Sequence, residues 1–228
     1  MTDHVFPPAP QVTLPVRGSD RSFPVRRIYC VGRNYADHAI EMGHDPNREP
    51  PFYFQKNPQN AECTTAFPYP PESGDVHHEV ELVVALKSGG SSIPAAEALE
   101  HVFGYAVGLD MTRRDLQGAA KKAGRPWVVA KAFEHSAPMG PVVPVAECGH
   151  LPKGRISLTL NGAARQDGDL SAMIWPVPEI IAWISRFHEL AAGDLIMTGT
   201  PAGVGAVARG DVMVAAIEGL GAIEVTVV

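Results

Sequence analysis

The 228-residue chain has no run of 18 consecutive apolar residues and no charged start leading into an apolar segment. These absences argue against a membrane span and a secretory leader, and make cytoplasmic residence the expectation. Cysteine is scarce: Cys30, Cys63 and Cys148 are odd in number, widely spaced and without a CxxC pair. They suit neither a disulfide framework nor a zinc site, and are expected to be buried, inert thiols. Positive charge is also short, with 19 Lys and Arg against 25 Asp and Glu and a net charge of -6. The basic residues are scattered, so there is no footprint for nucleic acid or an anionic membrane, and a small molecule is the expected partner. GxSxG is missing, which removes a serine-hydrolase elbow. The glycine-rich TGTPAGVG stretch lacks a GK[ST] ending and no GxGxxG opens a helix, so nucleotide binding has no support.

What is present is apolar and rich in turns. Hydrophobic residues make up 45%, with Gly 22 and Pro 21, which favours short strands over a helix bundle and predicts a mixed α/β, β-rich class. Residues 1–26, with Pro7, Pro8, Pro10, Pro15 and Pro24, predict an extended proline-rich arm that packs on a neighbouring surface or stays partly loose. Residues 27–228 predict a single domain. Strands are expected at RIYCV, PFYFQ, VHHEVELVVAL, GYAVGLD and WVVAKAF, and as a hairpin around Asn161 and Gly162. Helices are expected in NYADHAIEM with Asn34 as cap, in IPAAEALEHV, in TRRDLQGAAKKAG with Thr112 as cap, and in PVPEIIAWISRFHEL. The C-terminal stretch predicts a strand, a glycine-rich loop and a terminal strand pair.

Glu79 and Glu81 are two apart in HHEVELVV, so a strand puts both on one face, roughly 6.5 to 7 Å apart. Two unit charges at about 7 Å repel by about 2 kcal/mol at an effective dielectric near 20, and a positive group is expected between them. Asp110, ending an apolar strand, can complete an all-oxygen set suited to Mg²⁺ or Mn²⁺. A solvated ExE face and a turn aspartate remain the alternative. His77 shares that face if the pairing is regular, and would tilt the site toward zinc or iron. His38 and Glu41, three apart in a short helix, have the spacing of a general base and its orienting carboxylate, though the same spacing suits two solvated residues. Lys131 lies inside an apolar run, where an amine is costly unless paired with carboxylates or an anionic ligand. Arg114 and Gln117 on the following helix can reach a substrate oxygen, and TGTPAGVG offers backbone amides with the Thr198 and Thr200 hydroxyls.

GRNYADHAIEM, HHEVELVVAL, LDMTRRDLQ, PWVVAKAF, SAMIWPVPEIIAWIS and GDLIMTGTPAGVG, in this order, resemble the fumarylacetoacetate hydrolase family from about Arg27 to the C-terminus. The short chain is most similar to the fumarylpyruvate hydrolases and acylpyruvases within it. The resemblance implies the family's β-sandwich roll with short flanking helices, a homodimer, and Mg²⁺ or Mn²⁺ held by Glu79, Glu81 and Asp110. It implies His38 and Glu41 as a water-activating dyad, Lys131 and Gln117 beside the reacting oxygens, and Thr200 on the substrate. KNPQN at Lys56 departs from the pattern of many members of the family, in which Lys is followed directly by Pro.

The implied activity is cleavage of the C3–C4 bond of a small 2,4-dioxo acid, fumarylpyruvate or a related acylpyruvate, with Arg33 or Arg114 on a distal carboxylate. The rival within enzymes is metal-dependent decarboxylation of oxaloacetate or a related 2-oxo diacid, which needs no attacking water. The rival of another class is a non-catalytic, metal-stabilised structural protein.

Overall fold

The run Val80–Leu86 is buried at every position, which an amphipathic strand would not be; a strand covered on both faces explains it. In the computed structural model, which describes residues 4–41 and 49–228 and omits the side chains of 39–41, this strand is central in a six-stranded sheet. The order is Val143–Pro144, Val102–Leu109, Val80–Leu86, Asp194–Met197, Arg27–Gly32, Phe52–Lys56. All neighbours are antiparallel except Asp194–Met197 beside Arg27–Gly32. Leu82, Val84 and Leu86 enter one core with Ile156, Leu158, Met213 and Val225 of a second sheet. Val83 and Ala85 enter another with Ile28, Cys30, Leu195 and Met197.

The second sheet runs Ala163–Asp169, Arg155–Leu160, Val212–Ile217, Gly221–Val227, Ala66–Phe67. Burial alternates along Val212–Ile217, as expected where one face meets the core. The two sheets meet across the first core, giving the expected β-rich sandwich with short flanking helices. Its hairpin turns at Asn161 and Gly162, with φ of 52° and 79°, the left-handed pair that a two-residue turn between twisted strands requires.

Part of the N-terminal segment is more ordered than an extended arm. Thr13–Pro15 pairs antiparallel with Ser22–Pro24, and Leu14, Val16, Phe23 and Val25 bury against the outer face of the large sheet.

Several elements differ from the sequence reading. The expected strand VHHEVELVVAL breaks at Glu79, because Val76–His78 pairs with Thr112–Arg113 and Gly205–Ala206 in a separate small sheet. WVVAKAF forms a single helical turn, Val128–Lys131, whose Val128 and Val129 are 61% and 60% exposed. β-branched composition is a weak prior, overridden here by tertiary context. IPAAEALEHV yields only the 3₁₀ turn Ala98–His101. Thr112 sits in a strand and the helix Arg114–Lys122 starts two residues later. The Asn34 side chain donates to the Trp175 and Thr198 carbonyls and accepts the Trp175 N–H, tying two loops together. Cys30 is buried, but Cys63 is exposed and Cys148 half-buried.

Candidate active site

The strand ladder explains why three acids separated in sequence become neighbours. Val80 pairs with Leu109 and Glu81 with Gly108 at the end of the central ladder. Glu79 therefore lies just before one strand and Asp110 just after the other, and the Asp110 N–H donates to the Glu79 carbonyl at 2.8 Å. Ligand atoms of Glu79, Glu81 and Asp110 all lie within 4.8 Å of one another. The strand Asp194–Met197 ends beside them, and Gly199 donates its N–H to Glu81 Oε2 at 2.8 Å. Gly199 is needed there: its φ is 94°, and a Cβ would stand 2.7 Å from that of Asn34.

Cations surround this cluster. Lys131 Nζ lies 2.8 Å from Glu79 Oε2 and 2.7 Å from Asp110 Oδ2, so the helical turn that replaced the expected strand aims its last side chain at two carboxylates. Lys56 Nζ is 2.9 Å from Asp110 Oδ1 and donates to the Met111 and Lys131 carbonyls. Arg114 donates to Glu79 and, at 2.6 Å, to Gln117 Oε1. Burial would raise the Glu79 carboxyl, but Lys131 and Arg114 outweigh it and hold it below the usual carboxylate range. Glu81 goes the other way: burial pushes it well up, and the charges of Asp110 and Glu79 add to that. Among the described residues no lysine or arginine pairs with Glu81. Lys131 is raised because Asp110 and Glu79 overcome the burial that alone would lower it.

This donor set fits a hard divalent cation. It is all oxygen and fully buried, no lysine or arginine among the described residues pairs with Glu81, and Asp110 Oδ1 has a nearby lysine but no hydrogen bond. Glu79, Glu81 and Asp110 would hold the ion.

The expected site residues His38, Arg33, Arg114, Gln117, Lys131 and Thr200 line one cleft with the triad. His38 is buried at 6% exposure and lies near Glu79. Glu41 ends the helix Ala36–Glu41, but its side chain lies outside the described residues, and so does its pairing with His38. His77 is not brought in: its Nε2 lies 2.9 Å from Asp75, because the strand break at Glu79 turns it off the shared face. Thr198 is also lost to the cleft, since its hydroxyl donates to the Leu82 carbonyl at 3.1 Å.

Two residues escaped the sequence reading. Lys56 is buried beside Asp110 although nothing in KNPQN signalled it beyond a cation closing an aromatic strand. Gln166, in a polar hairpin strand, is 1% exposed. Its Oε1 accepts the Val80 N–H at 3.1 Å and its Nε2 donates to the Pro201 carbonyl at 2.9 Å. Those two backbone groups have fixed polarity, so the amide can point only one way. Its Nε2 is then the donor to Thr200 Oγ1 at 2.7 Å, which leaves the Thr200 proton available to an acceptor in the cleft. His78 Nδ1, 3.0 Å from Gln166 Oε1, must carry its proton on that nitrogen. No sequence pattern marks a glutamine for this task.

Known proteins agree with this construction. The fumarylacetoacetate hydrolase C-terminal domain matches residues 27–228. The mitochondrial oxaloacetate tautomerase of Rattus norvegicus is 43% identical over 195 residues, 86% of this chain and 88% of that protein. A fumarylpyruvate hydrolase of Ralstonia sp is 42% identical over 184 residues, 80% of this chain and 95% of that protein. The crystal structure of fumarylpyruvate hydrolase from Pseudomonas aeruginosa, in complex with Mn²⁺ and pyruvate, is 52% identical with a TM-score of 0.97 and 99% of each chain covered. With its fold, its acidic triad and a match over nearly nine-tenths of its length, the chain belongs to the fumarylacetoacetate hydrolase family.

Proposed function

We propose that the protein is a Mg²⁺- or Mn²⁺-dependent hydrolase that cleaves the C3–C4 bond of a 2,4-dioxo acid, with fumarylpyruvate giving fumarate and pyruvate. The observation that carries the reading is the buried triad of Glu79, Glu81 and Asp110 in one cleft with a buried histidine and a buried lysine. The likeness to two fumarylpyruvate hydrolases supports the choice of substrate. When bound, the divalent ion supplies a Lewis acid for the 1-carboxylate and 2-oxo oxygens.

The chain's own groups do the rest. His38, oriented by Glu41, takes a proton from the water that adds to the 4-carbonyl. Lys131 and Gln117 stabilise the oxygen that becomes negative in that addition. Thr200 donates to a substrate oxygen, and Arg33 or Arg114 attracts carboxylate. The C3–C4 bond then breaks, the electron pair passes to the pyruvate fragment, and C3 takes up a proton. We place the reaction in the cytoplasm, in a homodimer.

Oxaloacetate tautomerisation is the second reading, favoured by the 43% identical rat relative. It moves a proton between C3 and the 2-oxo oxygen and adds no water. Assaying fumarylpyruvate, acetylpyruvate and oxaloacetate side by side, with Mn²⁺ and with chelator, separates the two. The hydrolase reading expects metal-dependent cleavage of fumarylpyruvate above any turnover of oxaloacetate. Fast oxaloacetate tautomerisation with no cleavage of either 2,4-dioxo acid would overturn it.

A further inference from the structure

Three cations other than those on the triad's lysines line the cleft, namely Arg33, Arg114 and Lys121, and they are not equivalent. Arg114 is committed, with one nitrogen on Glu79 and another on Gln117. Arg33 and Lys121 form no ion pair among the described residues. Each lies instead over an aromatic ring: the Arg33 guanidinium carbon is 5.0 Å from the centre of Phe52, and Lys121 Nζ is 5.1 Å from that of Trp127. Phe52 and Trp127 pack edge to face, 5.1 Å apart at 88°. The result is an aromatic pair bracketed by two cations on the wall of the cleft.

Local structure fixes this bracket. The chain turns at Arg33 through a left-handed φ of 54°, unusual for a residue with a side chain and characteristic of functional positions. Lys121 lies in the last turn of the helix that carries Arg114 and Gln117. Partial burial and the charges of Arg114 and Arg33 push the Lys121 amine below its usual range, the sign of a cationic group missing an anion.

We propose that Arg33 and Lys121 are a carboxylate-reading rim that selects 2,4-dioxo acids whose acyl group is a flat unsaturated chain ending in a second carboxylate. The inference rests on the hydrolase reading above and sharpens its substrate class. With the 1-carboxylate and 2-oxo end at the triad, the acyl chain runs outward over Phe52 and Trp127, and its terminal charge meets both cations. A methyl group in that place uses neither cation. Lys121 is thus a specificity residue remote from the bond that breaks.

The test measures kcat and KM for fumarylpyruvate and acetylpyruvate with saturating Mn²⁺ in wild type, Lys121→Met, Lys121→Arg and Arg33→Met, and binds fumarate to each by calorimetry. The inference expects the fumarylpyruvate KM to rise about 10- to 100-fold in Lys121→Met and Arg33→Met with kcat little changed. The fumarylpyruvate preference over acetylpyruvate should fall at least about tenfold, Lys121→Arg should restore it, and fumarate binding should weaken in parallel. Equal losses on both substrates, or an unchanged fumarylpyruvate KM, would overturn the rim while leaving the hydrolase reading intact. If wild type cleaves neither substrate, the hydrolase reading fails, and fumarate binding decides the rim alone: weaker binding in Lys121→Met supports it and unchanged binding overturns it.

Discussion

The large sheet buries acids at both ends of the strand Asp194–Met197, and the two ends are built differently. At the start, Asp194 is fully buried, receives two hydrogen bonds from Arg26 at 3.1 and 3.0 Å, and accepts the Ala191 N–H at 2.9 Å. It is one carboxylate, with one arginine and one amide, away from the cleft. Past the other end, Glu79, Glu81 and Asp110 crowd together, share two lysines and an arginine, and open on a cleft. A satisfied buried acid holds strands in place; a cluster of three carboxylates beside a cavity, with no lysine or arginine on Glu81 among the described residues, is poised for a cation. Burial alone does not distinguish them, while the clustering of carboxylates and access to the cleft do.

The largest effect should follow from breaking the cleft end. Asp110→Asn should abolish measurable Mn²⁺ affinity and lower turnover by at least about 10²-fold while the fold persists, because Asn keeps the volume but loses the charge. Metal titration and circular dichroism check both halves.

Next is Lys131→Met, which should cost about 10²- to 10³-fold in turnover by removing a donor to the developing oxyanion. Without metal it should also lower stability, since Glu79 and Asp110 lose the ammonium that now compensates them. Added Mn²⁺ should recover part of that loss, which paired thermal melts would register. A variant equally unstable with and without metal would make Lys131 a member of a purely structural ion pair.

At the other end the effects should be on stability alone. Asp194→Asn should cost about 1–3 kcal/mol in denaturant unfolding, with turnover unchanged. Burial pushes the Asp194 carboxyl up against the pull of Ala191 and Arg26. A raised acid is most favourable to the fold when protonated, so its contribution is greatest below the ordinary carboxylate range and is lost as pH rises through its raised value. The stability margin of wild type over Asp194→Asn should therefore shrink as pH rises from the ordinary carboxylate range through the raised value. A growing margin would contradict the assignment.

The smallest effect is expected at Asp115, which accepts from Ser73 Oγ at 2.7 Å and Gly74 N at 3.0 Å on the exposed side of the site helix. Asp115→Asn should change stability by no more than about 1 kcal/mol, as exposed charged contacts do.

Legibility from sequence followed the same division. Residues on the central ladder were readable because the ladder brings Glu79, Glu81 and Asp110 to one end by simple period and pairing. The strand break at Glu79 was not, and it decided the fate of His77, because small-sheet pairing depends on residues more than a hundred positions away. Lys131 was found but on the wrong element: an apolar, β-branched run carries no signal that its neighbours leave it without a strand partner. Lys56 and Gln166 were missed for one reason. Each acts through contacts with distant segments, Gln166 through Val80 and Pro201 above all, and neither periodicity nor spacing encodes those.

Calorimetric titration of Mn²⁺ into wild type, Asp110→Asn and Asp194→Asn tests the contrast between the two ends most directly. The account predicts one saturable site in wild type and in Asp194→Asn, and no heat of binding in Asp110→Asn. Undiminished binding in Asp110→Asn, or its loss in Asp194→Asn with the fold intact, would contradict it.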